Sequence, residues 1–424
     1  MLIRDQARMA IERCRKLASF SEQAGRTTRT FLSSPMRDCH REIAAWVEPL
    51  GARVRIDAAG NFRALYPAAD ANAPRLLVGS HLDTIPDGGA FDGALGVVLG
   101  ATLMENLEGK RLPFSIELLG FSEEEGVRFG VPFIGSRALV GRVDEDLLRR
   151  PDEHGISVRT AIERFGLHPS ELPEARIESN VLGYVEFHIE QGPVLEELGL
   201  PLAVVDAIAG QSRLEFTFFG CANHAGTTPM TLRRDALAGA AEWIATVEQE
   251  GRRVPELVAT VGAVEAKPGV SNVIAAEVRL TLDVRHRTDD VRKASVEILI
   301  RRAEQIAAYR RLSLRHEERL NQTSVAMDSL LISHAEEALR RAQCLPHRMV
   351  SGAGHDAMIL AEAVASVMIL LRTPGGISHS PEESVQPSDV AKAIEAGAHL
   401  LDVLASSPAF EHKETQNAYT RPDS

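Results

Sequence analysis

Apolar residues recur along this chain in short blocks that close on charged or polar clusters. Leu76 to Val78 is such a block; it ends in Gly79-Ser80 and delivers His81 and Asp83. A loop rich in Gly, Pro and Asp follows to Asp92, after which Leu95, Val98, Leu99 and Leu103 recur at helical spacing. The pattern predicts a strand, a loop and a helix. Pro113 to Phe121 alternates as a buried strand and ends in Ser122-Glu123-Glu124-Glu125-Gly126. Tyr184 to Gly192 reads as a third strand, ending in His188, Glu190 and Gln191, and Ser366 to Leu371 as a fourth, followed by a loop that carries His379. Residues 1 to 50 are predicted helical with a break around Arg26 to Pro35, and two strands, Val54 to Ile56 and Asn61 to Tyr66, flank the turn Asp57–Gly60. Residues 142 to 180 are polar and irregular, with helical patches.

From Gln211 the period changes. Strand Leu214–Gly220, helix Arg234–Glu250, strands Leu257–Ala266 and Val273–Arg285, helix Asp290–Tyr309 and strand Arg311–Glu317 give the order β-α-β-β-α-β. That order predicts a four-stranded sheet carrying two helices on one face, the split βαβ layer. The fold class expected is therefore α/β: a larger catalytic domain from residues 1–210 and 326–424, with a smaller α+β domain, residues 211–325, inserted in it. The chain returns through a helix, Val325–Ala342, and the loop Ser351-Gly-Ala-Gly-His355-Asp356. Residues 406–424 are polar, unpatterned and expected to form a disordered tail.

Composition narrows the function. A length of 424 residues, 44% apolar and 25% charged, suits a globular protein of more than one domain. A formal net charge of −12 argues against a general nucleic-acid or anionic-membrane binder. No apolar run is long enough to span a membrane, and the N-terminus reads as an amphipathic helix rather than a signal peptide. Cys14, Cys39, Cys221 and Cys344 are scattered with no C-x-x-C pair, which suits reduced thiols in the cytoplasm and leaves any metal to His and carboxylates.

The strand ends carry the candidate chemistry. His81 closes a strand and Asp92 stands at the mouth of the next helix, where open α/β sheets place their sites. Both can ligate a divalent ion, and Asp83 is placed to accept the N–H of a ligating imidazole. Alone, His-x-Asp fits an ordinary polar loop with a helix-capping aspartate better than a metal site, because such tripeptides are common. Three consecutive carboxylates at the end of an apolar strand, Glu123 to Glu125, repel one another unless a cation compensates them. A solvated acidic turn is the plain alternative. The acidic run comes one βα unit after His81, so neighbouring parallel strand ends would bring the two together.

Eight motifs in order carry a resemblance over nearly the whole chain: His81-x-Asp83, Asp92-Gly93, Glu124-Glu125-Gly126, His188-Ile-Glu-Gln-Gly-Pro193, His224-Ala-Gly-Thr-Thr-Pro-Met230, Ser271-Asn-Val-Ile274, Asp283-x-Arg285 and Gly376-Ile-Ser-His379. Together they resemble the dinuclear-metal amidohydrolases that include allantoate amidohydrolase, N-carbamoyl-L-amino acid hydrolase and β-ureidopropionase, within the wider aminoacylase and carboxypeptidase-like peptidases. The resemblance implies two divalent ions, zinc or manganese or cobalt, bridged by Asp92. His81 and His188 would hold one ion, Glu125 and His379 the other. Glu124 would be the general base and Asp83 the partner of His81. The inserted domain would serve as lid and homodimerisation domain, with His224 stabilising an oxyanion. Asn272 and Arg285 would bind a substrate carboxylate with help from Gln191. A guanidinium matches a carboxylate bidentately, which suits Arg285; Asn272 also fits a simple turn residue.

The substrate class implied is a small ureido carboxylate, cleaved at a linear C–N bond with release of ammonia and carbon dioxide. Ala207-Ile-Ala-Gly-Gln-Ser-Arg-Leu214 is similar to the plant-type allantoate amidohydrolases, which favours allantoate and purine catabolism over an N-carbamoyl amino acid. An aminoacylase or peptidase would act on an ordinary amide instead. Arg372 departs from the family pattern and is expected either to meet a second carboxylate or to face solvent; His355 is expected to shape its loop or to support a metal ligand from behind.

Overall fold

The computed structural model describes residues 2–407, so the expected tail lies, from residue 408 on, outside the described residues. The chain divides into two compact units. The larger comprises residues up to Asp206, then Met327–Met349 and the chain from His355; the smaller comprises Ala207–Ala326 and Val350–Gly354. The short loop 350–354 thus joins the smaller unit, whereas sequence reasoning left it with the larger.

In chain order the larger unit supplies strands β1 (Arg53–Ile56), β2 (Phe62–Tyr66), β3 (Arg75–His81), β4 (Ser115–Phe121), β5 (Val181–Ile189) and β6 (Leu202–Ile208). The smaller unit follows with β7 (Gly210–Phe219), β8 (Val258–Thr260), β9 (Val264–Lys267), β10 (Glu277–His286) and β11 (Ser313–Gln322). The chain then returns through β12 (Val325–Ala326), β13 (Arg348–Ser351) and β14 (Ser366–Leu371). The larger sheet runs β1-β2-β4-β3-β5-β14-β6-β12, with β13 also paired to β6. Its four central strands, β4-β3-β5-β14, are mutually parallel and flanked by antiparallel neighbours. β3, β4 and β14 are buried almost throughout, as parallel strands covered on both faces must be. The helix Ala94–Asn106 buries every residue from Ala94 to Met104, because it packs against β3, β4 and β5 while helices Ile3–Ser19 and Pro387–Ala405 cover it. β6 was not foreseen: Leu202–Ile208 is a central apolar run whose length alone does not separate strand from buried helix.

The smaller unit is a split βαβ layer. Its sheet runs β11-β7-β10-β8, with β9 also paired to β10, so β8 and β9 share the edge where one strand was expected. β10 alternates buried and open residues along its length. Its inward side chains Val278, Leu280, Leu282 and Val284 meet Trp243 of helix Ala236–Arg253 and Leu299 of helix Asp289–Tyr309 in one core. Asp235 caps the first of these helices by accepting the amides of Leu237 and Ala238. Among the described residues no helix is long and apolar enough to cross a membrane.

Candidate metal centre

Four loops leaving the parallel strands build one cluster. β3 ends on His81, and the same loop carries Asp92 to the start of helix Ala94–Asn106. β5 holds His188 one residue before its end; the loop after β4 carries Glu124 and Glu125, and the loop after β14 carries His379. Because β3, β4, β5 and β14 are parallel neighbours, all these ends lie on one edge of the sheet.

Asp92 is the centre of the cluster. Its Oδ1 lies 3.2 Å from His188 Nε2 and 3.7 Å from His81 Nε2, and its Oδ2 lies 3.4 Å from His379 Nε2. His379 Nε2 is in turn 3.8 Å from Glu125 Oε1. Donor atoms of His81, Asp92 and His188 fall within 4.8 Å of one another, as do those of Asp92, Glu125 and His379. The two triads share only Asp92. Gly93 makes this possible: its φ of +65° turns the chain, and a Cβ there would come within 2.5 Å of the His81 ring.

Tautomers are set from outside the cluster. His81 donates Nδ1–H to the backbone carbonyl of Asp83 at 3.0 Å, and His188 donates Nδ1–H to that of Ile189 at 2.9 Å. Both rings therefore turn Nε2 inward, and these two nitrogens are only 3.4 Å apart. Without protons their lone pairs would face each other beside a buried Asp92 Oδ1, so the group calls for positive charge, either protons or a cation. The donor set fits a divalent ion of the zinc or manganese type. Asp83 enters differently from expectation. Its carboxylate is 3.5 Å from His81 Nδ1 and is engaged in accepting the amides of Glu124 and Glu125 at 2.9 and 3.1 Å, so its nearer link to the ring is the carbonyl.

The electrostatics agree with a site that lacks positive charge. Burial pushes Glu124 well above the usual carboxylate pKa, with Glu125, Asp356 and Asp83 adding to the effect and His81 opposing it. Burial and the neighbouring Asp92 push Glu125 up to about 7. Burial also favours a protonated Asp92, but the imidazoles of His188, His379 and His81 outweigh it and hold that carboxyl well below the usual range. Burial favours neutral His81, yet Asp83 and Asp92 raise its pKa well above the ordinary value. Protons thus occupy a cluster from which a divalent ion would displace them. Glu123, the first of the three consecutive carboxylates, turns away and accepts the Gly126 amide at 2.6 Å.

Other expected residues are placed as follows. Gln191 donates Nε2–H to Asp92 Oδ2 at 3.0 Å, on the cluster itself, with a left-handed φ of +59°. His224 and Asn272 meet in the smaller unit: the Ala225 amide donates to the Asn272 carbonyl at 2.8 Å, and His224 bridges Val273. His224 Nδ1 accepts the amides of Gly226 and Thr227 at 3.1 and 3.2 Å, so its proton sits on Nε2, a donor. Arg285, on β10, gives Nε–H and one Nη2–H to Asp283 at 2.9 and 3.0 Å and an Nη1–H to the Gly352 carbonyl at 2.7 Å. One N–H on each of its two terminal nitrogens is left to a further carboxylate. Asp283 also accepts from Gln211 and Arg213, which lie opposite on β7.

Arg372 meets neither a second site carboxylate nor bulk solvent. Its guanidinium forms a bidentate pair with buried Asp389, both bonds 2.8 Å, in the first turn of helix Pro387–Ala405. His355 packs edge-on against His188, ring centres 4.5 Å apart, and burial keeps it neutral. Two buried carboxylates escaped the sequence reasoning. Glu186, which accepts the Ser80 hydroxyl and the Ala357 amide, could have been found from its two-residue spacing to His188. Glu383 sits in a Pro-Glu-Glu-Ser stretch that looks like any surface turn.

A model of the peptidase family M20/M25/M40 matches residues 77–403. The chain is 38% identical over 398 residues to an N-carbamoyl-L-amino acid amidohydrolase of Geobacillus stearothermophilus, covering 93% of this chain and 97% of that one. It is 36% identical over 438 residues to allantoate deiminase 2 of Glycine max, covering 95% and 90%. The crystal structure of an amidase of the hydantoinase/carbamoylase family from Burkholderia multivorans superposes with a TM-score of 0.90 at 30% identity, covering 95% of this chain and 98% of that one.

Proposed function

The chain belongs to the peptidase family M20/M25/M40 and is a hydrolase, and from that premise we propose that it is a dinuclear-metal amidohydrolase cleaving a linear C–N bond of a ureido carboxylate, with allantoate the leading substrate. The observation that carries the reading is the convergence of three imidazole Nε2 atoms and the Glu125 carboxylate on the two oxygens of Asp92. His81 and His188 would hold one ion, Glu125 and His379 the other, and Asp92 both. A bound pair of zinc, manganese or cobalt ions supplies Lewis acidity for the scissile group and lowers the pKa of the attacking water.

The remaining steps belong to the chain. Glu124 is buried and ligates neither ion in this assignment. It takes the proton of the attacking water and returns it to the leaving nitrogen. His224, its proton on Nε2, donates to the developing oxyanion. Arg285 presents its free guanidinium edge to the substrate carboxylate, with Asn272 as a further donor. Gln191 steadies Asp92. The smaller unit is read as lid and dimerisation domain, and the four free cysteines support a cytoplasmic enzyme.

Two similar relatives divide the substrate question, being named for allantoate and for N-carbamoyl amino acids. The stretch Ala207–Leu214 supports allantoate, and its Gln211 and Arg213 hold the carboxylate that fixes Arg285. The test is ammonia release from allantoate, N-carbamoyl-L-amino acids and N-carbamoyl-β-alanine after metal removal and restoration, with Glu124→Gln as control. Metal-dependent release mainly from allantoate, abolished in the variant, is expected. Release mainly from an N-carbamoyl amino acid would move the assignment to that second reading, and silence on all three would overturn the ureido assignment.

A further inference from the structure

Glu383 is 5% exposed and stands outside both metal triads, yet it touches the loops that supply both sides of the second one. Its Oε1 accepts the backbone amides of Phe91 and Asp92 at 2.8 and 3.0 Å. Its Oε2 accepts the hydroxyl of Ser378, the residue before His379, at 3.2 Å. Its own amide donates to the Ser380 carbonyl at 3.1 Å, closing the turn that follows His379. His379 is half-exposed and held at a left-handed φ of +55°, which side chains rarely adopt without support. The chain makes room for Glu383 at a distance: a Cβ on Gly89 would fall 2.3 to 2.5 Å from the Glu383 carboxylate and side chain.

We propose that Glu383 is a positioning residue for the second metal ion: one buried carboxylate ties the Asp92 backbone to the His379 loop, and so fixes the distance between the bridging carboxylate and that ion's imidazole. The inference rests on the dinuclear reading above. Asp92 and His379 come from chain segments nearly three hundred residues apart, and Asp92 Oδ2 meets His379 Nε2 at 3.4 Å. Against Glu383, the Phe91–Asp92 amides and Ser378 share one rigid acceptor. Without it, the backbone on either side of His379 loses its tie to the Asp92 amide, and the ring keeps only side-chain contacts with Asp92, Glu125 and Gln191. Partners of this kind set metal affinity by ligand geometry, and their loss weakens binding about 10- to 100-fold.

The experiment is calorimetric titration of the metal-free full chain with Mn2+, together with metal analysis after dialysis. Wild type is expected to bind two equivalents. Glu383→Ala is expected to keep one near wild-type affinity and to lose about 10- to 100-fold on the other. Glu383→Gln should stay close to wild type, since its amide oxygen accepts both backbone N–H groups and its NH2 reaches the Ser378 hydroxyl. Gly89→Ala, which leaves Glu383 in place in the sequence but drives it off its seat, should weaken the same equivalent and carries the test where Glu383→Ala does not fold. Two equivalents at wild-type affinity in both Glu383→Ala and Gly89→Ala would overturn the proposal. Equal losses in the Ala and Gln variants would also overturn it, by showing that charge rather than geometry matters. Fewer than two equivalents in wild type would instead remove the dinuclear reading on which the proposal stands.

Discussion

Metal binding and acid should work against each other at this centre, with signs that the structure fixes. In the metal-free protein Glu125 is raised from 4.5 to about 7 by burial and Asp92. His188 and His379 are also raised, chiefly through Asp92, and His81 through Asp83 and Asp92, in each case against the pull of burial. For each of these groups the native state binds its proton more tightly than the unfolded chain does. Their contribution to stability is therefore complete below the unfolded pKa and is lost as pH rises through the folded one. From Glu125 alone the loss across pH 4.5 to 7 is worth about 3 kcal/mol. Asp92, held low, gives nothing back in this range, since its contribution is lost only in stronger acid. A divalent ion must expel the same protons. With Glu125 half-protonated near pH 7, apparent affinity should rise about tenfold between pH 6 and 8 on its account alone, and further with each imidazole that also releases a proton. Titrating the metal-free protein with Mn2+ at pH 6, 7 and 8, in buffers of differing ionisation enthalpy, counts those protons. Urea unfolding of the metal-free and loaded forms at the same pH values gives the stabilities. The metal-free form should weaken toward pH 8 while the loaded form strengthens; a pH-independent affinity with no proton release would refute the reasoning.

Arg285→Leu should lower kcat/KM for a carboxylated substrate about 10- to 150-fold, mostly through KM, as expected for a charged hydrogen-bonded contact, and Arg285→Lys should not restore it because the end-on fork is lost; an unchanged KM would remove Arg285 from the substrate site. Arg372→Leu leaves Asp389 buried and without its guanidinium, and should cost about 3 kcal/mol in chemical unfolding while activity per folded molecule is kept. Gly93→Ala puts a Cβ against the His81 ring at a left-handed φ, and should abolish binding of the ion held by His81 and His188; retention of both metal equivalents would show that the ring can move aside.

The catalytic edge of the larger sheet was legible because ionisable residues are anomalous at the ends of apolar strands. His81, His188 and the Glu124-Glu125 pair each follow a run that has no reason to end in charge unless something at that edge uses it. The smaller unit was legible for a different reason: one face of β10 alternates strictly, and the helices on either side have the right period. What escaped was set by tertiary partners. Val273 opens no strand because it pairs with His224, and β10 begins at Glu277 instead. The partner of Arg372 lies 17 residues on, in a helix's first turn. The role of Glu383 depends on a glycine and two amides near residue 90 that no local pattern connects to it.

These missed carboxylates change what the acidity of the chain means. The formal charge of −12 reads from composition as a surface property. Yet Asp83, Asp92, Glu123, Glu124, Glu186, Asp356 and Glu383 are all buried in the larger unit, and Glu125 nearly so. Two divalent ions would offset a third of the formal charge at the place where it is most concentrated. The division of labour follows from this excess. Asp83 holds the Glu124–Glu125 turn, Glu186 joins Ser80 to the turn at Ala357, Glu383 joins the Asp92 and His379 loops, and Asp283 fixes Arg285. In three of these cases, those of Asp83, Glu383 and Asp283, a carboxylate that takes no part in the proposed chemistry orients a group that does. Burying so many carboxylates as anions is unfavourable in the isolated polypeptide; there, protons neutralise part of the cluster, and bound cations would take their place.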